Sequence, residues 1–125
     1  MSLLATLPFR RLFLFSGIVC LVIIAVLSLL PAQEMARTGA PKQMEHFMAY
    51  FGTAIFWAAA FFGMPRTMWR AAVFLVALAG AMEGLQAFSP GRTPQMLDFV
   101  FSGAGALLGT ALVSVIGRRL PSALR

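Results

Sequence analysis

Seven side chains in this 125-residue chain carry chemistry that a mostly apolar sequence does not need for packing: His46, Tyr50, Glu83, Gln86, Arg92, Asp98 and Ser102. An imidazole changes charge near neutral pH and can take or give a proton. A carboxylic acid held in apolar surroundings can serve as its acid partner. One His with two carboxylates is also a minimal donor set for a divalent cation. A guanidinium beside acids and an amide can hydrogen-bond phosphate or sugar. There is no HExxH, no serine-nucleophile motif and no glycine-rich phosphate loop. The expectation is therefore a binding pocket with no metal and no cofactor.

These residues sit in four long apolar runs. Hydrophobic residues make up 60% of the chain and charged ones 11%, with a mean hydropathy of +0.86. A soluble domain has about 45–50% apolar and about 25% charged residues, so a charged, water-facing shell is excluded. Disorder is excluded too, because it needs low hydrophobicity. One cysteine builds neither a disulfide framework nor a Cys-rich zinc site. A bilayer core about 30 Å thick takes about 20 residues of helix. The runs Leu12 to Leu30, His46 to Met64, Ala71 to Phe88 and Met96 to Gly117 have about that length. They are continuous rather than alternating, which excludes a β-barrel. Backbone groups in lipid must bond within the segment, so the runs are helices. The expected fold is an all-α membrane protein: a single four-helix transmembrane bundle over residues 1–125.

Arg10 and Arg11 ahead of the first run resemble the start of a signal peptide. The run is too long for a signal core and no small-x-small site follows, so it reads as a retained anchor. Basic residues then set orientation. Arg10, Arg11, Arg66, Arg70, Arg118, Arg119 and Arg125 fall on one side of the runs; Arg37, Lys42 and Arg92 fall on the other. The positive-inside rule puts both ends of the chain in the cytoplasm, with two short outward loops. The net charge of +6 lies in scattered residues rather than a stripe, so nucleic acid is not an expected partner. Membrane lipids are. In the second loop, Pro90-Gly91 suits a tight turn, with Thr93 as N-cap and Pro94 at the first helical position.

At about 1.5 Å per residue and 100° per residue, the polar groups collect. His46, Tyr50, Thr53 and Trp57 form one stripe of the second run. Glu83 and Gln86 share a face of the third. Asp98, Ser102, Gly105 and Gly109 share one of the fourth. Each stripe is polar at its outer end, so inward packing would enclose an outward-facing polar pocket. Arg92 could cap it and pair with Glu83 or Asp98. Lys42 and Glu45 read as solvent-exposed, and Tyr50 equally suits an interface anchor. Gly80-Ala-Met-Glu-Gly84 and Gly105-Ala-Leu-Leu-Gly109 are GxxxG patterns that permit close helix approach.

Three segments resemble the VanZ-like family of small bacterial membrane proteins. Ser28-Leu29-Leu30-Pro31 ends the first run as in that family. Glu45-His46-Phe47-Met48-Ala49-Tyr50 resembles its His-Phe-x-x-Tyr segment. Glu83-Gly84-Leu85-Gln86, Pro90-Gly91-Arg92, Asp98 and Gly105 resemble its Glu-x-x-Gln, Pro-Gly-Arg and Asp…Gly run. Two positions depart: Pro41 precedes Lys42 where members often have Asp-Lys, and Ser102 stands where they often have Asn. The resemblance implies an integral protein of the bacterial inner membrane that works in the cell envelope. The family's namesake is associated with resistance to teicoplanin, a glycopeptide.

Three functions are then open. The pocket can bind an envelope lipid or glycan headgroup, or a glycopeptide. It can act as an intramembrane enzyme on a lipid-linked substrate through His46, Glu83 and Asp98. A transporter ranks last, because no charged group continues a path at the inner ends of the runs.

Overall fold

The computed structural model describes residues 7–34 and 38–121. Arg37 and Arg125, which enter the charge pattern above, lie outside the described residues. Among the described residues the fold is all-helical, with four α-helices: α1 Leu7–Leu29, α2 Lys42–Ala60, α3 Pro65–Leu85 and α4 Met96–Arg119. Pro8–Leu29, Pro65–Phe88 and Met96–Arg119 are long and apolar enough to cross a membrane. α2 is not among them, because its first turns carry Lys42, Gln43, Glu45 and His46.

Local chemistry sets the ends. α1 stops before Pro31 and runs into a short 3₁₀ turn at Ala32–Glu34. Pro41 opens α2, its carbonyl accepting from the N–H of Met44 and of Glu45 at 2.9 and 3.2 Å. α2 therefore starts four residues before the expected His46. It also ends at Ala60 rather than Met64, because Gly63 turns the chain at φ +84. Pro65 does not merely stop the second run. It occupies the start of α3, where a missing N–H leaves no bond unmade. The short connector is thus 61–64, and Arg66 and Arg70 belong to the first turns of α3.

α3 passes through a 3₁₀ turn, Gln86–Phe88, into the tight turn expected at Pro90-Gly91. There the N–H of Arg92 donates to the Ser89 carbonyl at 3.1 Å, and Gly91 has φ +74. That is the type II pattern, with Pro second and Gly third. The expected Thr93 cap is not formed. Gln95 is the N-cap of α4, and Thr93 and Pro94 lie in the strand of chain before it.

α2 is the hub: it packs most extensively on α4, and also on α1 and α3. The core is built from small residues. Ala54, Ala79 and Ala106 sit with Ile24, Tyr50 and Leu75 in the buried cluster. Large apolar side chains point outward instead, among them Phe15 at 66% and Val73 at 64% exposure. Small residues inside and large ones outside is the arrangement of helices packed in lipid, where close backbone approach replaces hydrophobic collapse.

The two GxxxG patterns behave differently. A Cβ on Gly105 would strike the backbone of Phe47, and one on Gly109 would come within 2.6 Å of the Phe51 carbonyl oxygen. α4 therefore lies directly against the α2 backbone. Gly80 faces the Phe99 ring, but Gly84 has open space around it, so the second pattern is no close-contact motif.

Candidate functional site

The α2–α4 contact places the polar stripes against each other at the end of the bundle that holds the Arg92 turn. Asp98, in the first turn of α4, is 0% exposed. Its carboxylate meets three groups from α2. Lys42 Nζ pairs with Oδ2. Gln43 Nε2 donates to Oδ1 at 3.3 Å, and His46 Nε2 lies 3.9 Å from Oδ2. The other imidazole nitrogen, Nδ1, is 3.2 Å from Ser102 Oγ, one helical turn below Asp98. Lys42, His46 and Tyr50 recur every four residues along one stripe of α2, which is why a single carboxylate can reach the first two.

Lys42 and Gln43 are the residues that sequence reading misses. Lys42 was expected in water, yet its side chain is only 18% exposed. The signal was present: one extra helical turn before His46 puts Lys42 on the His46 face. Glu45 does stay off that stripe, and accepts from the N–H of Thr38 at 3.0 Å and from its hydroxyl at 2.5 Å. Tyr50 is not an interface anchor, being 2% exposed in the core.

Glu83 and Arg92 have other partners than expected. Glu83 Oε1 accepts the N–H of Gln95 at 2.6 Å, just ahead of α4. A carboxylate there satisfies a backbone donor and faces the positive end of the helix dipole. Arg92 turns to α1. Its Nε donates to the Leu30 carbonyl at 3.1 Å and its Nη2 to the Leu27 carbonyl at 2.6 Å. Ser89 Oγ adds a bond to the Leu29 carbonyl at 2.8 Å. The last carbonyls of a helix have no partner within it, so the Arg92 turn acts as a distant C-cap for α1. Gln86 is 0% exposed, and neither amide atom has a hydrogen-bond partner among the described residues.

The seven residues share one end of the bundle but do not line one pocket. Asp98, Ser102 and Gln86 are sealed between helices. His46, Tyr50 and Arg92 face a cavity of about 410 Å³ between α1 and α2. Glu83 faces a second, of about 400 Å³, between α3 and the start of α4. No group of three or more His, Cys, Asp or Glu among the described residues could hold a metal ion.

Chemically, the sealed part is a charge network inside a helix pair. His46 and Arg92, with Thr38 and Glu45, set polar groups on the wall of an accessible cavity, while Tyr50 also lines it but is only 2% exposed. Comparison of the chain with protein-family models, curated proteins and solved structures finds no match.

Proposed function

We propose that this chain is a four-span protein of the bacterial inner membrane, VanZ-like, that binds the headgroup of an envelope lipid or glycan at its outer end. The observation that carries the reading is the cavity of about 410 Å³ whose wall carries His46 and Arg92. Its size falls in the range of small-ligand sites, about 300–1,000 Å³, which are mostly apolar with a few placed polar groups. A guanidinium and an imidazole at one end suit a phosphate or a sugar hydroxyl. A glycopeptide is a larger candidate for the same groups, and cell-envelope work including resistance follows only from the VanZ-like resemblance.

Two considerations support α2 as the fourth span and an inward N- and C-terminal side. Three membrane-length helices are packed around α2, and its polar first turn is neutralised internally by the Lys42–Asp98 pair. Arg66, Arg70, Arg118 and Arg119 gather at the end opposite Arg92, as the positive-inside rule requires. In a Cys20→Ala background, Thr93→Cys is expected to react with an impermeant maleimide on intact cells. Thr67→Cys should react only after permeabilisation. The reverse pattern overturns the orientation.

Binding is favoured over catalysis because Ser102 and Asp98, the groups beside His46, are buried at 2% and 0% exposure. A screen of thermal unfolding in detergent tests it. Short-chain phospholipids and lipid-linked sugars are added to the purified chain. A ligand at 100 times its Kd adds about 2.7 kcal/mol, a shift of several degrees. His46→Ala and Arg92→Gln should lose the shift relative to their own unliganded midpoints, while Val73→Ala keeps it. No shift with any headgroup overturns the reading.

A further inference from the structure

We infer that the end of the bundle opposite Arg92 is an interaction surface for anionic phospholipids, with Arg10 and Arg66 as its main phosphate contacts. The inference goes beyond the outer-end cavity and rests only on the chain lying in a bilayer.

Charge decides the sign of the partner. The chain has four acidic side chains, Glu34, Glu45, Glu83 and Asp98, and all lie at the Arg92 end. The opposite end carries Arg10, Arg11, Arg66, Arg70, Arg118 and Arg119. Among the described residues, no salt bridge joins any of these arginines to a carboxylate. Their mutual repulsion is relieved by an anion from outside the fold. The arginines are not equivalent. Arg118 and Arg119 stand in the last turn of α4, where the negative end of the helix dipole already answers part of their charge. Arg66 stands in the first turn of α3, which has no acidic residue and no side-chain cap. There its charge adds to the positive end of the dipole.

Packing gathers the charges around the 61–64 connector. The Arg10 guanidinium lies 5.9 Å from the centre of the Phe61 ring. That cation–π contact holds the group in place and leaves its formal charge intact. Arg10 Nε is buried without a hydrogen-bond partner among the described residues, so donor capacity remains. The neighbouring Phe62 ring fills the space beside Gly117, directly ahead of Arg118. Pro65 and Arg66 open α3 straight after the connector. Cations from α1, α3 and α4 thus surround one pair of phenylalanines.

The apolar neighbours decide the class of anion. Phe9 and Leu12 flank Arg10 and Arg11 and are 43% and 57% exposed. Trp69 and Val73 stand beside Arg70 at 39% and 64%. In a bilayer these side chains meet acyl chains, and an indole suits the headgroup level. A phosphate at the level of the arginines then belongs to the same lipid molecules. The planar guanidinium can bond two phosphate oxygens at once. A soluble acidic protein would meet the arginines and leave the apolar faces to lipid.

The test places the full chain in phosphatidylcholine nanodiscs with a rising fraction of phosphatidylglycerol brominated on one acyl chain. Bromine quenches an indole that it touches. Trp69 emission is taken as the difference between the chain and its Trp69→Phe variant. One arginine near an anionic surface is worth about fivefold in preference. Half-quenching of Trp69 is therefore expected at a brominated phosphatidylglycerol fraction about fivefold or more below that needed with brominated phosphatidylcholine. Arg10→Gln with Arg66→Gln should bring the two lipids close to parity, while Arg10→Lys with Arg66→Lys keeps most of the preference. Thermal unfolding checks that each variant folds. Salt added to the unaltered chain gives the same answer without a substitution, because screening should erase the preference. Equal quenching by the two lipids overturns the inference, as does a preference that survives both the Gln pair and high salt. Displacement of the brominated lipid by a soluble polyglutamate would mark a protein-binding face and also overturns it. Trp69 lies at the end away from His46 and Arg92, so failure here leaves the headgroup reading standing.

Discussion

Asp98→Ala is expected to destabilise the bundle by about 3–5 kcal/mol, the range for stripping one partner from a buried ion pair. The carboxylate is 0% exposed and serves Lys42, Gln43 and His46 together. Its removal leaves the Lys42 ammonium, 18% exposed at its side chain, facing a sealed helix contact with no counter-charge from α4. Lys42→Met alone is expected to be costly for the opposite reason, since it strands the anion. Lys42→Met with Asp98→Leu removes both charges and keeps apolar volume, and should regain most of the loss. Equilibrium unfolding in mixed micelles, read as a double-mutant cycle, gives the coupling. A cost under about 1 kcal/mol for Asp98→Ala would match an exposed pair instead, and would show that the network is not sealed.

The same network marks the limit of what the sequence could tell. Run lengths and breakers were enough for four helices. Pro31 and the Pro90-Gly91 turn stand where they were expected, because their chemistry is local. α2 starts four residues ahead of the apolar run, because charged residues before such a run look like loop in sequence and become helix only with a partner to bury against. Lys42 is charged and still inside, and only its counter-ion on α4, 56 residues away, makes that possible. Glu83 and Arg92 show a second blind spot. Both find backbone partners: the Gln95 N–H and the Leu27 and Leu30 carbonyls. Backbone donors and acceptors occur at every position, so nothing in the sequence marks which will be used. An intramembrane acid suggests function by default; through Oε1 the Glu83 carboxylate also joins α3 to the start of α4, a backbone partner the sequence does not mark. His46, Asp98 and Ser102 do meet, because helical periodicity sets each residue on a definite face of its helix and the two polar faces pack together.

Gly105→Ala and Gly109→Ala are each expected to cost about 1–3 kcal/mol or more, the range for overpacking a tight contact. In both cases the obstacle is backbone. A Cβ at Gly105 meets the Phe47 carbonyl oxygen and the Phe51 amide nitrogen, and one at Gly109 meets the Phe51 carbonyl. Helix backbone cannot swing aside as a side chain can, so α4 must move away from α2. That movement would lengthen the Ser102–His46 contact and the bonds from Lys42 and Gln43 to Asp98, all of which bridge the same two helices. Gly105→Ala should therefore weaken the Lys42–Asp98 coupling energy as well as total stability. Gly84→Ala is the contrast. It belongs to an equally good GxxxG pattern but meets nothing within 4 Å. Replacing an unconstrained helical glycine by alanine gains about 0.5–1 kcal/mol, so this variant should be neutral to stabilising. Unfolding midpoints for the three variants, with the double-mutant cycle repeated on Gly105→Ala, check both effects. Equal destabilisation at positions 84 and 105 would mean that α3 and α4 use their glycines alike, and that direct α2–α4 backbone contact does not set the geometry of the charged site.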